Sequence, residues 1–486
     1  MVDALERVTT GIEGLDLILG GGFVRGGAYV IQGRPGTGKT ILTNQVCFHH
    51  VRRGGRVLYV TLLAESHTHM FQNLGTLEYF DRSAIGDGVY YVNANRALSE
   101  DGLDGLIGLL RAEMKRQRAS LLVLDGLLNV RETADSDIDL KRCLQALQGQ
   151  AEFVGCTLLM LTSAGLDEVS PEHTMVDGII GLTDELMGAR AVRRLQIRKL
   201  RGSAHLRGLH QFDITRRGVV VFARLEAQYA QPSRDDAADV ERASIGSGRL
   251  DAMLGGGLPA RSATLLLGAS GTGKTTLGLQ FLGCSTPEAP GLHFGFYETP
   301  ARLALKAASV GVDLDRLTRS GALDVLWFPP TENLLDELGH RLLDAVERRG
   351  ARRVFLDGVG GLERAAADPA RLMTFTTALL NELRTRGVTM LASWETPRLF
   401  GGAVDAPVPE ISSIVENLLL LRFAEVRARV HRLLAILKVR DSGYDPRLME
   451  FTIGAGGVEV SDTGESAEAL LSGYANLPGP SDPAPR

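Results

Sequence analysis

The sequence predicts an α/β fold built twice in tandem, each copy a mostly parallel sheet flanked by helices with strands added at one edge. Three observations predict it. A glycine-rich loop, Gly33-Arg-Pro-Gly-Thr-Gly-Lys39-Thr40, returns as Gly268-Ala-Ser-Gly-Thr-Gly-Lys274-Thr275, 235 residues later. Other landmarks keep nearly that step: Leu15-Asp16 with Leu250-Asp251, Glu65 with Glu298, Asp125 with Asp357, and Arg201 with Arg440. The chain is therefore a duplicated unit and not an array of short repeats. Short apolar runs also alternate with longer amphipathic stretches, the pattern of buried parallel strands joined by crossover helices.

In the first copy the apolar runs are Ala28 to Gln32, Val57 to Thr61, Leu121 to Leu124 and Thr157 to Leu161. In the second they are Thr264 to Leu267, Leu292 to Phe296, Val354 to Leu356 and Val388 to Ala392. Stretches such as Gly105 to Arg118 and Asn333 to Arg349 read as the intervening helices. Each copy closes with mixed apolar and basic runs, Ala191 to Leu200 and Val430 to Val439, expected as the added edge strands. The polar, aperiodic segment 226–241 is expected to link a first domain, 1–225, to a second, 242–462. The Gly-, Ser- and Pro-rich segment 463–486 is expected to be disordered.

Composition narrows the function. A chain of 486 residues can bury two substantial cores without disulfide or metal staples. Its net charge of −5 argues against broad binding to a nucleic-acid backbone, which needs clustered Lys and Arg. Cys47, Cys143, Cys156 and Cys284 stand far apart without metal or redox spacing, and read as reduced core thiols. The first residues lack a basic-then-apolar signal pattern and no run of about 18 apolar residues occurs, so a cytoplasmic protein is expected.

Each glycine loop follows an apolar strand and opens a helix, Lys39 to Val51 or Lys274 to Leu282, which is the setting of a Walker A phosphate cradle. Glycines at 33, 36 and 38, and at 268, 271 and 273, with Thr37 and Thr272 between them, let backbone N–H groups turn inward around phosphate at a helix N-terminus. Lys39 and Lys274 would reach the β- and γ-phosphates of ATP, and the hydroxyls of Thr40 and Thr275 would ligate Mg2+. Asp125 and Asp357 each end an apolar strand and would hold the same Mg2+ from the carboxyl edge of the sheet; Asp-Gly after a strand is also ordinary turn chemistry. His67-x-His69 lacks a third ligand nearby and reads as a helix start, while Trp327 and Trp394 read as packing at strand ends.

These features are those of RecA-like P-loop domains, and longer segments are similar to the KaiC family of tandem ATPases and autokinases. Thr10-Gly11-Ile12 to Gly22 and Ile245-Gly246 to Gly257 resemble that family's entry segments. Thr61-Leu-Leu-Ala-Glu65-Ser66 and Phe294-Gly-Phe-Tyr-Glu298-Thr299-Pro300 resemble its paired-glutamate stretch, whose carboxylates polarise the attacking water. Each half keeps only the second carboxylate, with Ala64 and Tyr297 at the first position, so the resemblance leaves Glu65 and Glu298 as the candidate bases. Lys199-Leu-Arg201 and Lys438-Val-Arg440 resemble the Lys-x-Arg pair that family members extend into a neighbour's active site, which implies a homo-oligomeric ring, hexameric by resemblance. Read without the resemblance, the same residues form a basic edge strand.

Ile411-Ser412-Ser413-Ile414 resembles the segment holding the family's adjacent autophosphorylated hydroxyls, so Ser412 and Ser413 are the expected phosphoacceptors; serines before an apolar strand also serve as caps. The resemblance implies a signalling ring read by a regulatory protein partner. Two alternatives remain open at this level: an ATP-gated scaffold that does not hydrolyse, favoured by the depleted glutamates, and a DNA-dependent motor, disfavoured by the acidic charge.

Overall fold

The computed structural model describes residues 5–62, 67–163, 171–234, 241–396, 411–426, 429–440 and 442–462. The chain divides into two compact units, Met1–Gln228 and Tyr229–Arg486. Each unit holds one nine-stranded sheet.

In the first unit the sheet contains β1 (Ala28–Gln32), β2 (Val57–Thr61), β3 (Val89–Asn93), β4 (Leu121–Asp125), β5 (Thr157–Thr162), β6 (Gly178–Met187), β7 (Arg190–Leu200), β8 (His210–Thr215) and β9 (Gly218–Phe222), in the order β3-β2-β4-β5-β1-β6-β7-β8-β9. The second repeats that order with β10 (Ala263–Gly268), β11 (Gly291–Gly295), β12 (Leu323–Trp327), β13 (Arg353–Asp357), β14 (Thr389–Glu395), β15 (Asn417–Val426), β16 (Arg429–Val439), β17 (Met449–Gly454) and β18 (Gly457–Asp462), arranged β12-β11-β13-β14-β10-β15-β16-β17-β18. Pairing is parallel from β3 through β6 and from β12 through β15, and antiparallel beyond. Both units are thus the mixed, parallel-dominated α/β sandwich that the apolar runs predict.

Every residue of β1, β2, β4 and β5 is buried, because helices cover both faces of a parallel sheet. Alternation then sorts side chains between two cores: Tyr29, Ile31 and Tyr59 join one, Ala28, Val30, Leu58 and Val60 the other. Burying each such side chain contributes roughly 1.5 to 3 kcal/mol. Helix α1 (Lys39–Arg52) follows β1 and helix α2 (Lys274–Gly283) follows β10, so both cradles lie at the carboxyl edge of their sheets. Among the described residues no helix is long and apolar enough to cross a membrane.

The segment expected as a plain connector carries structure of its own. Leu225–Gln228 is a short helix. Beyond it Ser233 donates through its amide (3.0 Å) and hydroxyl (2.5 Å) to the fully buried Glu382 of helix α3 (Arg371–Thr385). Arg386 completes this clasp, its Nε 2.9 Å from Glu382 and one terminal nitrogen 3.3 Å from the Tyr229 hydroxyl. Burial works against the Glu382 carboxylate, but the two Ser233 bonds and the guanidinium outweigh it and hold its pKa below the ordinary value. Residues 463–486 and the expectation of disorder there lie outside the described residues.

Candidate nucleotide sites

The two loops share one geometry. Gly38 and Gly273 open their helices with φ of 96° and 107°, left-handed values that a side chain would strain. A Cβ there would also stand 2.7 Å from Ile214 Cδ1 or 2.8 Å from Ile453 Cδ1. Gly36 and Gly271, with φ of 85° and 79°, form the loop crest in the left-handed region, where a Cβ would meet nothing within 4 Å at Gly36 and only Phe423, at 3.8 Å, at Gly271. Inside each loop the lysine curls back: Lys39 Nζ donates to the carbonyls of Gly33 (2.6 Å) and Arg34 (3.0 Å), Lys274 Nζ to those of Gly268 (2.7 Å) and Ala269 (2.8 Å). Thr37 and Thr272 brace the loops by donating to Arg34 O and Ala269 O. Burial lowers the pKa of both lysines, opposed by Asp125 in the first site and by Glu395 and then Asp357 in the second.

Strand register brings the acids to the same edge. Asp125 lies across from Thr61 and Leu161, Asp357 across from Gly295 and Ser393. Thr40 Oγ1 donates to Asp125 (3.4 Å) and Thr275 Oγ1 to Asp357 (3.2 Å). A hydroxyl and a carboxylate so placed form an oxygen-only donor pair beside a phosphate cradle, which suits a hard cation such as Mg2+ completed by phosphate and water. The residues present fit a magnesium nucleotide in both halves.

The surroundings of the two acids differ. Asp125 is buried against the Tyr59 hydroxyl (2.9 Å), and burial raises its pKa despite that bond, Lys39 and Thr40. At the matching step of the second half stands His293, buried, its Nε2 3.8 Å from Asp357. Ser393 donates to Asp357 at 2.8 Å. Burial pushes the Asp357 pKa upward, but His293 and the hydroxyls of Ser393 and Thr275 together bring it below the usual carboxylate value. Tyr59, His293 and Ser393 were not among the residues that the motifs single out, because each sits inside an apolar run and only register places it beside an acid.

A cavity of about 770 Å3 opens over the second cradle, lined by Lys274, Thr275, Asp357, Tyr297, Glu298 and Glu395 among others. Glu298 is paired with Lys306 on the helix that follows it, Pro300–Ser309. Tyr297 lies beside Gly358, with the Arg364 guanidinium 5.4 Å over its ring. The corresponding Glu65 lies outside the described residues. His67 hydrogen-bonds Thr61 at 3.0 Å and stacks on Phe71, a structural role. Trp394 is buried on the cavity wall, and Trp327 donates to Phe296 O at 3.0 Å.

The basic pairs lie at the opposite edge. Lys199 is level with Ile179, itself level with Val30, and Arg201 N donates to Asp177 O (2.7 Å) where β6 begins. In the second half Lys438 is level with Leu418 and Leu265, and Arg440 N donates to Glu416 O (3.1 Å). A bulge interrupts both hairpins at the same place, between Ile179 and Ile180 and between Leu418 and Leu419, and such bulges re-aim the following side chains. The Asp177 and Glu416 carboxylates each accept the first amide of the cradle strand, Ala28 N at 2.9 Å and Ala263 N at 2.8 Å. One acidic residue thus fastens both the cradle strand and the basic arm. Lys199 and Lys438 donate to backbone carbonyls at this edge, and Arg201 and Arg440 to Thr174 O and Ser413 O. Ser413 is exposed there, in the short helix Ile411–Ile414; nothing is described of the Ser412 side chain.

Two glycine cradles, each with a threonine hydroxyl and a strand-end aspartate at the carboxyl edge of a parallel sheet, define tandem RecA-like P-loop ATPase domains. The family described as "ATPase: KaiC" matches residues 8–226 and 243–465, and the chain belongs to that family. Similar proteins include the circadian clock oscillator protein KaiC of Picosynechococcus sp., 28% identical over 97% of this chain and 93% of the relative. KaiC 1 of Synechocystis sp. is 28% identical, covering 96% of this chain and 92% of its own. KaiC of Synechococcus elongatus is 26% identical, covering 97% and 92%.

Proposed function

We propose that this ATPase works as a homo-oligomeric ring, hexameric by family resemblance, in which each cradle is completed by the basic arm of the next subunit. Register is the observation that carries the reading. Arg201 and Arg440 leave their sheets level with Ala28 and Ala263, five residues before Gly33 and Gly268, so about 17 Å of strand separates each arm from its own cradle. That exceeds the reach of an arginine side chain, so the arm does not serve the cradle of its own unit, and we assign it to the phosphate of a neighbouring subunit.

Lys39 and Lys274, with the loop amides, would hold the phosphates of ATP, while Thr40 with Asp125 and Thr275 with Asp357 would hold Mg2+. The bound ion neutralises charge on the transferring phosphoryl group. Lys199, Arg201, Lys438 and Arg440 supply positive charge across the seam, and Glu65 and Glu298 are the carboxylates that the family resemblance offers for orienting water, Glu298 being paired with Lys306. Arg440 donates to the Ser413 carbonyl, so the short helix Ile411–Ile414, which carries Ser412 and Ser413, lies on the arm side of the sheet. They would therefore accept phosphate from a neighbour's ATP, and the added charge would reweight the seam for a regulatory protein partner to read. The role is that of a cytoplasmic signalling protein, and the circadian function in the relatives' names does not by itself extend to this chain.

The test mixes two inactive proteins. Arg440→Ala lowers second-site hydrolysis by about 10³-fold or more, as removal of an arginine finger does. Lys274→Ala abolishes it, and mixing the two before assembly restores part of it. Wild-type turnover in Arg440→Ala, or a mixture with no recovery, refutes shared sites. Peptide mass spectrometry after incubation with Mg-ATP places phosphate on Ser412 or Ser413. The replacement of the first glutamate by Ala64 and Tyr297 favours a second reading, an ATP-gated scaffold, which equal ADP release from wild type and from the two lysine variants would establish.

A further inference from the structure

We infer that Glu395, the last residue of β14, is the general base of the second site, standing in for the carboxylate that Tyr297 displaces. The inference rests on the reading that the second half hydrolyses ATP. Register places Glu395 directly beside Gly268, the first glycine of the cradle, and Thr396 N donates to Gly268 O at 3.1 Å, pinning the strand end there. Glu395 lines the same cavity as Lys274, Thr275 and Asp357, and its side chain is exposed to it.

Glu363 also lines the cavity, from the helix Gly360–Ala365, but the acids that act on Lys274 are Glu395 and Asp357 and not Glu363. The remaining groups are engaged. Glu298 is held by Lys306. Tyr297 is wedged against Gly358 under Arg364, and burial raises its pKa despite Arg364, so its phenol stays protonated at neutral pH. Asp357 is engaged by Thr275 and Ser393. Glu395 receives no hydrogen bond from any described group. Its charge opposes the lowering of the Lys274 pKa, ahead of that of Asp357, and it bears on Tyr297 as well, and all three side chains line the one cavity.

The step balances without a further reactant. The water oxygen bonds to the γ-phosphorus, the bond to the β–γ bridging oxygen breaks with its electron pair leaving on ADP, and the water proton passes to Glu395 and on to solvent. The first half cannot use this route. Ser163 follows Thr162, which is level with Gln32, so a serine stands at the step that Glu395 occupies.

The test uses the full-length assembled protein, with the second-site rate taken as the difference between wild type and Lys274→Ala. Glu395→Gln keeps the shape and removes the base, and is expected to lower that component by about 100-fold or more, while Glu395→Asp restores part of it. Binding separates this from a structural effect. Glu395→Gln retains two equivalents per chain of a non-hydrolysable fluorescent ATP analogue, but traps ADP–aluminium fluoride, the mimic of the transition state with its water, at one site only. Full trapping with an unchanged rate overturns the inference, as does a full loss in Glu298→Gln with none in Glu395→Gln. Equal hydrolysis by wild type and Lys274→Ala, when the latter has lost one bound analogue, overturns both the inference and the reading beneath it, and that pattern is distinct from the others.

Discussion

Replacing Glu382 by alanine tests how the segment after Gln228 is held to the second unit. The carboxylate is wholly buried and accepts three hydrogen bonds, two from Ser233 and one from Arg386. Removing one partner of a buried ion pair costs about 3 to 5 kcal/mol. The lower end applies because Arg386 keeps the Leu343 carbonyl (3.1 Å) and Glu347 (3.2 Å) and is not stranded without acceptors. With a urea dependence near 2 to 3 kcal/mol per molar for a domain of this size, a loss of about 3 kcal/mol moves the unfolding midpoint down by roughly 1 M. The assay is tryptophan fluorescence, because the chain has two tryptophans, Trp327 and Trp394, and both belong to the second unit. Ser233→Ala, which removes the hydroxyl bond and leaves the amide bond, should cost about 1 to 2 kcal/mol. A fluorescence midpoint unmoved by Glu382→Ala would refute the claim that this clasp holds the segment.

Two other outcomes follow from the geometry. Because Glu382 has a lowered pKa in the folded chain, its contribution is complete above the unfolded carboxyl value of about 4.3 and is lost as pH falls through the lower folded value. The midpoint gap between wild type and Glu382→Gln should therefore close on acidification below about pH 4.5, with fluorescence as the readout. Gly273→Ala forces a side chain into a left-handed conformation costing about 1 to 2 kcal/mol and drives its Cβ toward Ile453, so it should cost the second site its bound ATP analogue while the first site keeps its own, as counted by equilibrium binding.

Much of the fold is legible in the sequence because burial on both faces leaves continuous apolar runs, and Ala28 to Gln32 and Val57 to Thr61 coincide with strands to the residue. The cradles are legible because a helix start around phosphate demands glycines at fixed spacing, and Asp125 and Asp357 because a lone acid closes an apolar run. Glu395 is not, since a glutamate before Thr396-Pro397 looks like the start of a turn until β14 is laid beside β10. Glu382 reads as the solvated face of an amphipathic helix; its partner Ser233 lies 149 residues away in sequence, and no local pattern announces it. The same holds for Tyr59 and His293, whose third positions in apolar strands matter only because Asp125 and Asp357 lie on the strands alongside.

Asp177 and Glu416 give the sheet a mechanical property. Since a single residue anchors the opening amide of the cradle strand and also the amide from which the arginine departs, the strand behaves as a tie rod between opposite rims of the domain. Neither end can be retuned alone, and a substitution at either anchor disturbs grip and outreach together.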